Sequence, residues 1–151
     1  MTALRLAHRG DWRRAPENTL AALRAAMDVP ACDGVEFDVR VAADGTPVLL
    51  HDATLARIQG RPEPVGALTV PELADLGVPT LEEALTTVPR RAFIDIELKE
   101  DPGPGIASVI AGGRGPDLSR AVVSSFDPAA IRRIRSLAPG WPCWLNSYEL
   151  D

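Results

Sequence analysis

The chain has 151 residues, 46% of them hydrophobic and 25% charged, with a formal net charge of −5. That length supports one domain with a real core, and the mixture of apolar and charged segments is not that of a disordered chain. The acidic balance argues against nucleic acid as a partner, because phosphate backbones are bound by basic surfaces.

No apolar run approaches the roughly 20 residues that span a bilayer, so no stable membrane insertion is expected. Only seven residues precede His8, which leaves no room for a secretory signal, and a cytoplasmic protein is expected. Cys32 and Cys143 lie far apart in no metal-ligand or redox spacing and read as free thiols. Every basic residue is arginine except Lys99, a compact point charge that arginine does not mimic.

Residues 4–7 form a short apolar run suited to a buried strand. Asn18 or Thr19 can cap the helix that follows, whose apolar positions Leu20, Ala21, Leu23, Ala25, Ala26 and Met27 stop before Pro30. Gly34 opens a second strand through Val39, Asp44-Gly45 signals a turn, and residues 47–50 form a third strand ending at His51. Residues 52–66 read as a loop. Two capping-box patterns, Thr69 with Glu72 and Thr80 with Glu83, then start short helices.

A fourth strand covers residues 92–98. Gly112-Gly113-Arg114-Gly115 reads as a flexible loop after a short helix at 106–111. A fifth strand at 121–124, a helix at 128–137 and a sixth strand at 142–145 complete the pattern. Strands that are nearly continuous apolar runs, alternating with helices, indicate a parallel sheet covered by helices. A doubly wound sheet and a (β/α) barrel both satisfy this. The first loop, HRGDWRRAPENT, lacks the glycine fingerprint of dinucleotide binding.

Charge interrupts these strands in a pattern. Glu36 and Asp38 stand two residues apart, so both side chains leave one face of the second strand, and Asp95, Glu97 and Lys99 repeat the spacing on the fourth. Val35, Phe37 and Val39 between the acids are apolar, so this is not a simple solvated face. Buried carboxylates close together call for a cation between them.

Three carboxylates with no cysteine or histidine-rich cluster suit a hard ion, Mg²⁺ or Ca²⁺, better than zinc. Asp95, deeper in its strand, reads as structural. Arg9 and Lys99 flank the set and could hold phosphate. His8 and His51 at strand ends could take a proton from an attacking oxygen and give one to a leaving alkoxide.

His8-Arg9-Gly10, Pro16-Glu17-Asn18-Thr19, Glu36-Phe37-Asp38, Asp44-Gly45 with Pro47-Val48, His51-Asp52, Pro79-Thr80-Leu81-Glu82, Glu97-Leu98-Lys99 and Ser124-Ser125-Phe126 occur in an order that resembles the glycerophosphodiester phosphodiesterases. The resemblance covers essentially the whole chain. It implies a TIM-type (β/α) barrel that hydrolyses glycerophosphodiesters to an alcohol and glycerol 3-phosphate with a divalent metal. Under it, Glu36, Asp38 and Glu97 would hold the metal, His8 and His51 would be the acid–base pair, Arg9 and Lys99 would grip phosphate, and Glu17 would support the site. Ser124 to Phe126 would serve strand-end packing.

A complete barrel has eight strands and about 250 residues. A single barrel domain over residues 1–151, with about six of the eight strands and a truncated C-terminus, is therefore expected, and its open edge would favour self-association. Two other readings keep the same residues: a phosphodiesterase of lysophospholipase D type, and an inactive metal- or phosphate-binding remnant.

Overall fold

A computed structural model describes residues 3–148. The strands are β1 (Leu6–His8), β2 (Gly34–Val41), β3 (Pro47–Leu49), β4 (Phe93–Leu98), β5 (Ala121–Ser125) and β6 (Cys143–Leu145). The helices are α1 (Leu20–Met27), α2 (Ala56–Gln59), α3 (Val70–Asp75), α4 (Leu81–Thr87), α5 (Ile106–Arg114) and α6 (Pro128–Leu137). Five strands lie parallel in the order β1-β2-β4-β5-β6.

The remaining strand departs from the all-parallel expectation: β3 runs antiparallel to β2, with Val39 opposite Leu49 and Val41 opposite Pro47. The cause is local. A turn closed by Gly45 N–H to Ala42 O (3.0 Å) and Thr46 N–H to Asp44 Oδ1 (3.1 Å) joins the two, and so short a link makes a hairpin rather than a crossover.

The helix signals take hold where the sequence puts them. Thr19 caps α1 by accepting from Ala22 N–H, Asp127 caps α6 by accepting from Ala129 N–H, and both capping boxes form at the starts of α3 and α4. The glycine stretch after residue 111 is not a loop. α5 continues through Gly112 and Gly113 to Arg114, and a β-carbon on Gly113 would stand 2.6 Å from Leu85 Cβ. A residue without a side chain is what lets α5 lie against α4 at that point. Within 52–66, expected as loop, the chain makes the single turn α2 and a 3-10 turn at Val65–Ala67.

The sheet has two unlike faces. Val35, Phe37, Val39, Ile94, Ile96 and Leu98 point toward the helices and join Leu23, Leu81, Leu85, Ile106, Ile110 and Ile134 in the main core. The alternate positions, Glu36, Asp38, Asp95 and Glu97, face the other way. A smaller cluster of Val48, Leu50, Leu55, Val65, Leu68, Leu73 and Val78 anchors the β3 hairpin and the segment after it. Cys32 and Cys143 are both free. Among the described residues no helix is long and apolar enough to cross a membrane.

Candidate active site

Register decides which polar groups meet. His8 pairs across to Glu36, and Glu36 to Asp95. Two residues further toward the C-terminal ends, Asp38 pairs to Glu97 and Glu97 to Ser124. The acids therefore stand in two adjacent rows on one face, near the strand ends where parallel α/β proteins build their sites. Glu36, Asp38 and Glu97 each offer a carboxylate oxygen within 4.8 Å of the others. Asp95 lies outside that group and accepts a 2.6 Å hydrogen bond from Ser124 Oγ, which fits its structural reading. Ser124 is thus more than packing, and Ser125 Oγ likewise donates to Leu98 O.

Burial makes the acid cluster costly as it stands. The Glu36 carboxyl is raised to about 8, chiefly by burial, with the charges of Asp38 and Glu97 adding to it. Burial also raises Asp95. Glu36 Oε1 is buried with no hydrogen-bond partner. A buried, unpartnered carboxylate oxygen beside two further carboxylates is a donor set that fits a hard divalent cation.

The cations flank it. Lys99 Nζ lies 2.6 Å from Glu97 Oε1 and 3.5 Å from Asp38 Oδ1. Arg9 Nε approaches Asp38 Oδ2 to 3.1 Å, a close ion pair too poorly aligned to count as a hydrogen bond. Arg9 Nη1 donates to Glu17 Oε1 at 3.0 Å. Arg9 adopts a left-handed backbone, φ 61°, followed by Gly10 at φ 79°. That turn aims the Arg9 N–H at both Glu36 O (2.8 Å) and Glu36 Oε2 (3.1 Å). Glycine is required next, because a β-carbon on Gly10 would stand 2.7 Å from the Ala22 carbonyl carbon.

The histidines arrive by different routes. His8 ends β1, two-thirds exposed, with Nε2 3.6 Å from Glu36 Oε2. His51 does not end a parallel strand. The hairpin carries it back down beside β2, where Leu50 N–H bonds Asp38 O at 3.2 Å and Arg40 Nε donates to His51 O at 2.9 Å. His51 Nδ1 lies 2.6 Å from Asp52 Oδ1. Hydrogen bonding from Arg57, then from His51, holds the Asp52 carboxyl down at about 2. An ionised carboxylate only accepts, so the proton sits on Nδ1 and Nε2 is left for chemistry.

Three residues outside the expected set belong to this network. Asn18, named as a candidate helix cap and within the Pro16–Thr19 motif but given no role in the site, is 2% exposed with φ 57°, and its amide brackets Asp38. Nδ2 donates to Asp38 Oδ2 (2.9 Å), while Oδ1 accepts from Asp38 N–H (3.2 Å). Asp52 and Arg57 are the others. Asp52 was visible as the neighbour of His51, whereas nothing in the sequence marked Arg57 out from the other arginines.

The model of the glycerophosphoryl diester phosphodiesterase family matches residues 8–150. The chain belongs to the glycerophosphoryl diester phosphodiesterase family. It is 32% identical over 157 residues to a glycerophosphodiester phosphodiesterase of Caldanaerobacter subterraneus, covering 92% of this chain and 64% of that protein.

Among solved structures it resembles the glycerophosphodiester phosphodiesterase of Thermotoga maritima, with a TM-score of 0.82 and 31% identity over 99% of this chain and 64% of that one. It also resembles an Oleispira antarctica phosphodiesterase in complex with the product sn-glycerol-3-phosphate, with a TM-score of 0.80 and 27% identity over 94% of this chain and 65% of that one. The chain thus spans somewhat under two thirds of the length of these family members. The likeness assigns its sheet to the TIM-type (β/α) barrel, of which the described residues form an unclosed part.

Proposed function

We propose that this single barrel domain, residues 1–151, carries the metal-binding and acid–base residues of a glycerophosphodiesterase, which releases an alcohol and glycerol 3-phosphate. The observation that carries the reading is the Glu36/Asp38/Glu97 set with its unpartnered Glu36 oxygen. The product-bound relative from Oleispira antarctica supports the substrate class. Glu36, Asp38 and Glu97 would hold Mg²⁺ or Ca²⁺, and a bound divalent ion neutralises a phosphodiester and acidifies a nearby hydroxyl.

The chain's own residues do the rest. Arg9 and Lys99, held beside the carboxylates, would set their charge against the non-bridging phosphate oxygens, where negative charge grows in the transition state. Glu17 keeps the Arg9 guanidinium in place. Of His8 and His51, one accepts the proton of the attacking oxygen as its bond to phosphorus forms. The other donates a proton to the alcohol oxygen as its bond to phosphorus breaks. Self-association along β6, where Trp144 and Leu145 are exposed, and a cytoplasmic location belong to the same proposal.

Isothermal titration with Mg²⁺ and with Ca²⁺ tests the carrying observation. The wild type is expected to bind one ion per chain, and Glu36→Gln to lose at least about tenfold in affinity, since a neutral amide is a poor ligand for a hard cation. Equal affinity in the two proteins would remove the basis of the reading.

A further inference from the structure

We propose that Arg57 is a positioning residue for His51: its guanidinium fork locks the Asp52 carboxylate and ties it to the loop that carries Arg9.

Arg57 sits on the four-residue helix α2, whose place is set by the fully buried Leu55 just before it. Leu55 N–H bonds Glu63 O at 3.0 Å, and its carbonyl accepts from Gln59 N–H at 3.0 Å and from Arg61 N–H at 3.3 Å. From that base the Arg57 side chain makes four hydrogen bonds to two carboxylates. Nε donates to Asp52 Oδ2 (2.7 Å) and Nη2 to Asp52 Oδ1 (3.2 Å). Nη1 donates to Glu17 Oε2 (3.0 Å) and Nη2 to Glu17 Oε1 (2.6 Å). A planar fork meeting each carboxylate at two oxygens fixes the carboxylate plane as well as its distance.

The consequence for His51 follows from the Asp52 oxygens. Oδ1 faces His51 Nδ1, and both oxygens are engaged by Arg57. Asp52 cannot rotate about its side-chain bond without losing at least one of these contacts, so the imidazole keeps both its Nδ1–H tautomer and its direction. On the other side, Glu17 shares Oε1 between Arg57 and Arg9. An unbroken series of close contacts therefore runs His51–Asp52–Arg57–Glu17–Arg9–Asp38, joining segments 40 residues apart in sequence.

An ordinary surface ion pair is the competing account. Arg57 is nearly half exposed, and isolated exposed pairs contribute little to stability. The two accounts differ in what they do to the ring of His51. A surface pair changes stability slightly and leaves the imidazole alone, whereas a positioning fork governs its tautomer.

The chain has two histidines, so imidazole ¹⁵N–¹H correlation spectra of the intact, metal-free protein contain two rings, and His8→Gln assigns them. The groups around His51 are Asp52, Arg57, Glu17 beyond it, and Arg40, which bonds its carbonyl. In the wild type, neutral His51 is expected as the Nδ1–H tautomer. In Arg57→Ala and in Arg57→Lys, which keeps the charge but not the fork, at least about a fifth of the population is expected to shift to Nε2–H, with His8 unchanged. The kcat for glycerophosphocholine is expected to fall roughly 10- to 100-fold, the range associated with small misplacements of a reacting group, with a displaced limb in its pH profile.

A wild-type His51 tautomer in either variant overturns the proposal. So does an equal change at His8, which would report general loosening. The inference rests on the acid–base role proposed for His51, but the tautomer measurement needs no turnover. Failure of that role would show instead as full activity in His51→Ala.

Discussion

Glu36 and Asn18 show how single side chains set the terms of this site. Folding raises the Glu36 carboxyl to about 8, against about 4.3 for a free glutamate, so between those values the folded chain holds a proton that the unfolded chain has released. The stabilising contribution is full below about 4.3 and is lost as pH rises through about 8. The melting temperature of the metal-free protein is accordingly expected to fall from pH 5 to pH 8. Glu36→Gln should reduce that slope, leaving the share that Asp95, also raised by burial, adds in the same direction, and a divalent ion should oppose it by binding the ionised form. Calorimetric melting across that range checks it. Asp52 and Glu17, whose carboxyls are held low by Arg57, act only at more acidic pH and do not confuse the window.

Asn18→Ala would leave Asp38 without both of its amide contacts. A loss of about 1–3 kcal/mol in urea unfolding is expected, together with weaker metal binding, since a buried polar group left unpaired bears its full desolvation cost. The acids were legible from their two-residue spacing on otherwise apolar strands. Asn18 was not, because asparagine and threonine both cap helices, and only the fold shows which does so. Thr19 takes the cap, and Asn18 reaches a residue 20 positions away.

Elements were legible where local chemistry decides them. Both capping boxes appear as read, because each is settled within four residues. The direction of β3 was not legible from strand–helix alternation, although the Asp44-Gly45 turn held the information. A hairpin brings His51 to the level of Asp38, so this histidine reaches the site from an antiparallel strand.

The helical course of Gly112 and Gly113 also escaped the sequence, since glycines argue for loops until packing overrides them. Gly113→Ala is expected to destabilise by about 1–3 kcal/mol by pushing α5 off Leu85. Gly112→Ala, which meets open space, should stabilise by about 0.5–1 kcal/mol. Paired urea melts distinguish the two. Equal effects would mean that α5 does not depend on close approach to α4.

At the scale of the molecule, one sheet separates an apolar face under the helices from an acidic face bearing the site. Every group assigned to metal, phosphate or proton chemistry, or to positioning those groups, lies on β1, β2, β4, the β3 hairpin or the segments just after them, within the first 99 positions. That concentration explains why the site could be read from a chain that spans under two thirds of its relatives' length. The sheet itself remains an unclosed part of the barrel, with β1 and β6 at the ends of the parallel strand path among the described residues. Closure depends on contacts distant in sequence, so no local signal reports it.

Release of glycerol 3-phosphate from glycerophosphocholine and glycerophosphoethanolamine, by the wild type and by His51→Ala, tests the central claim most directly. The wild type is expected to turn over at least one of them with Mg²⁺ or Ca²⁺, to stop in EDTA, and to lose about 10²-fold or more on the substitution. Turnover that ignores EDTA, or a His51→Ala rate within about twofold of wild type, would contradict the assignment.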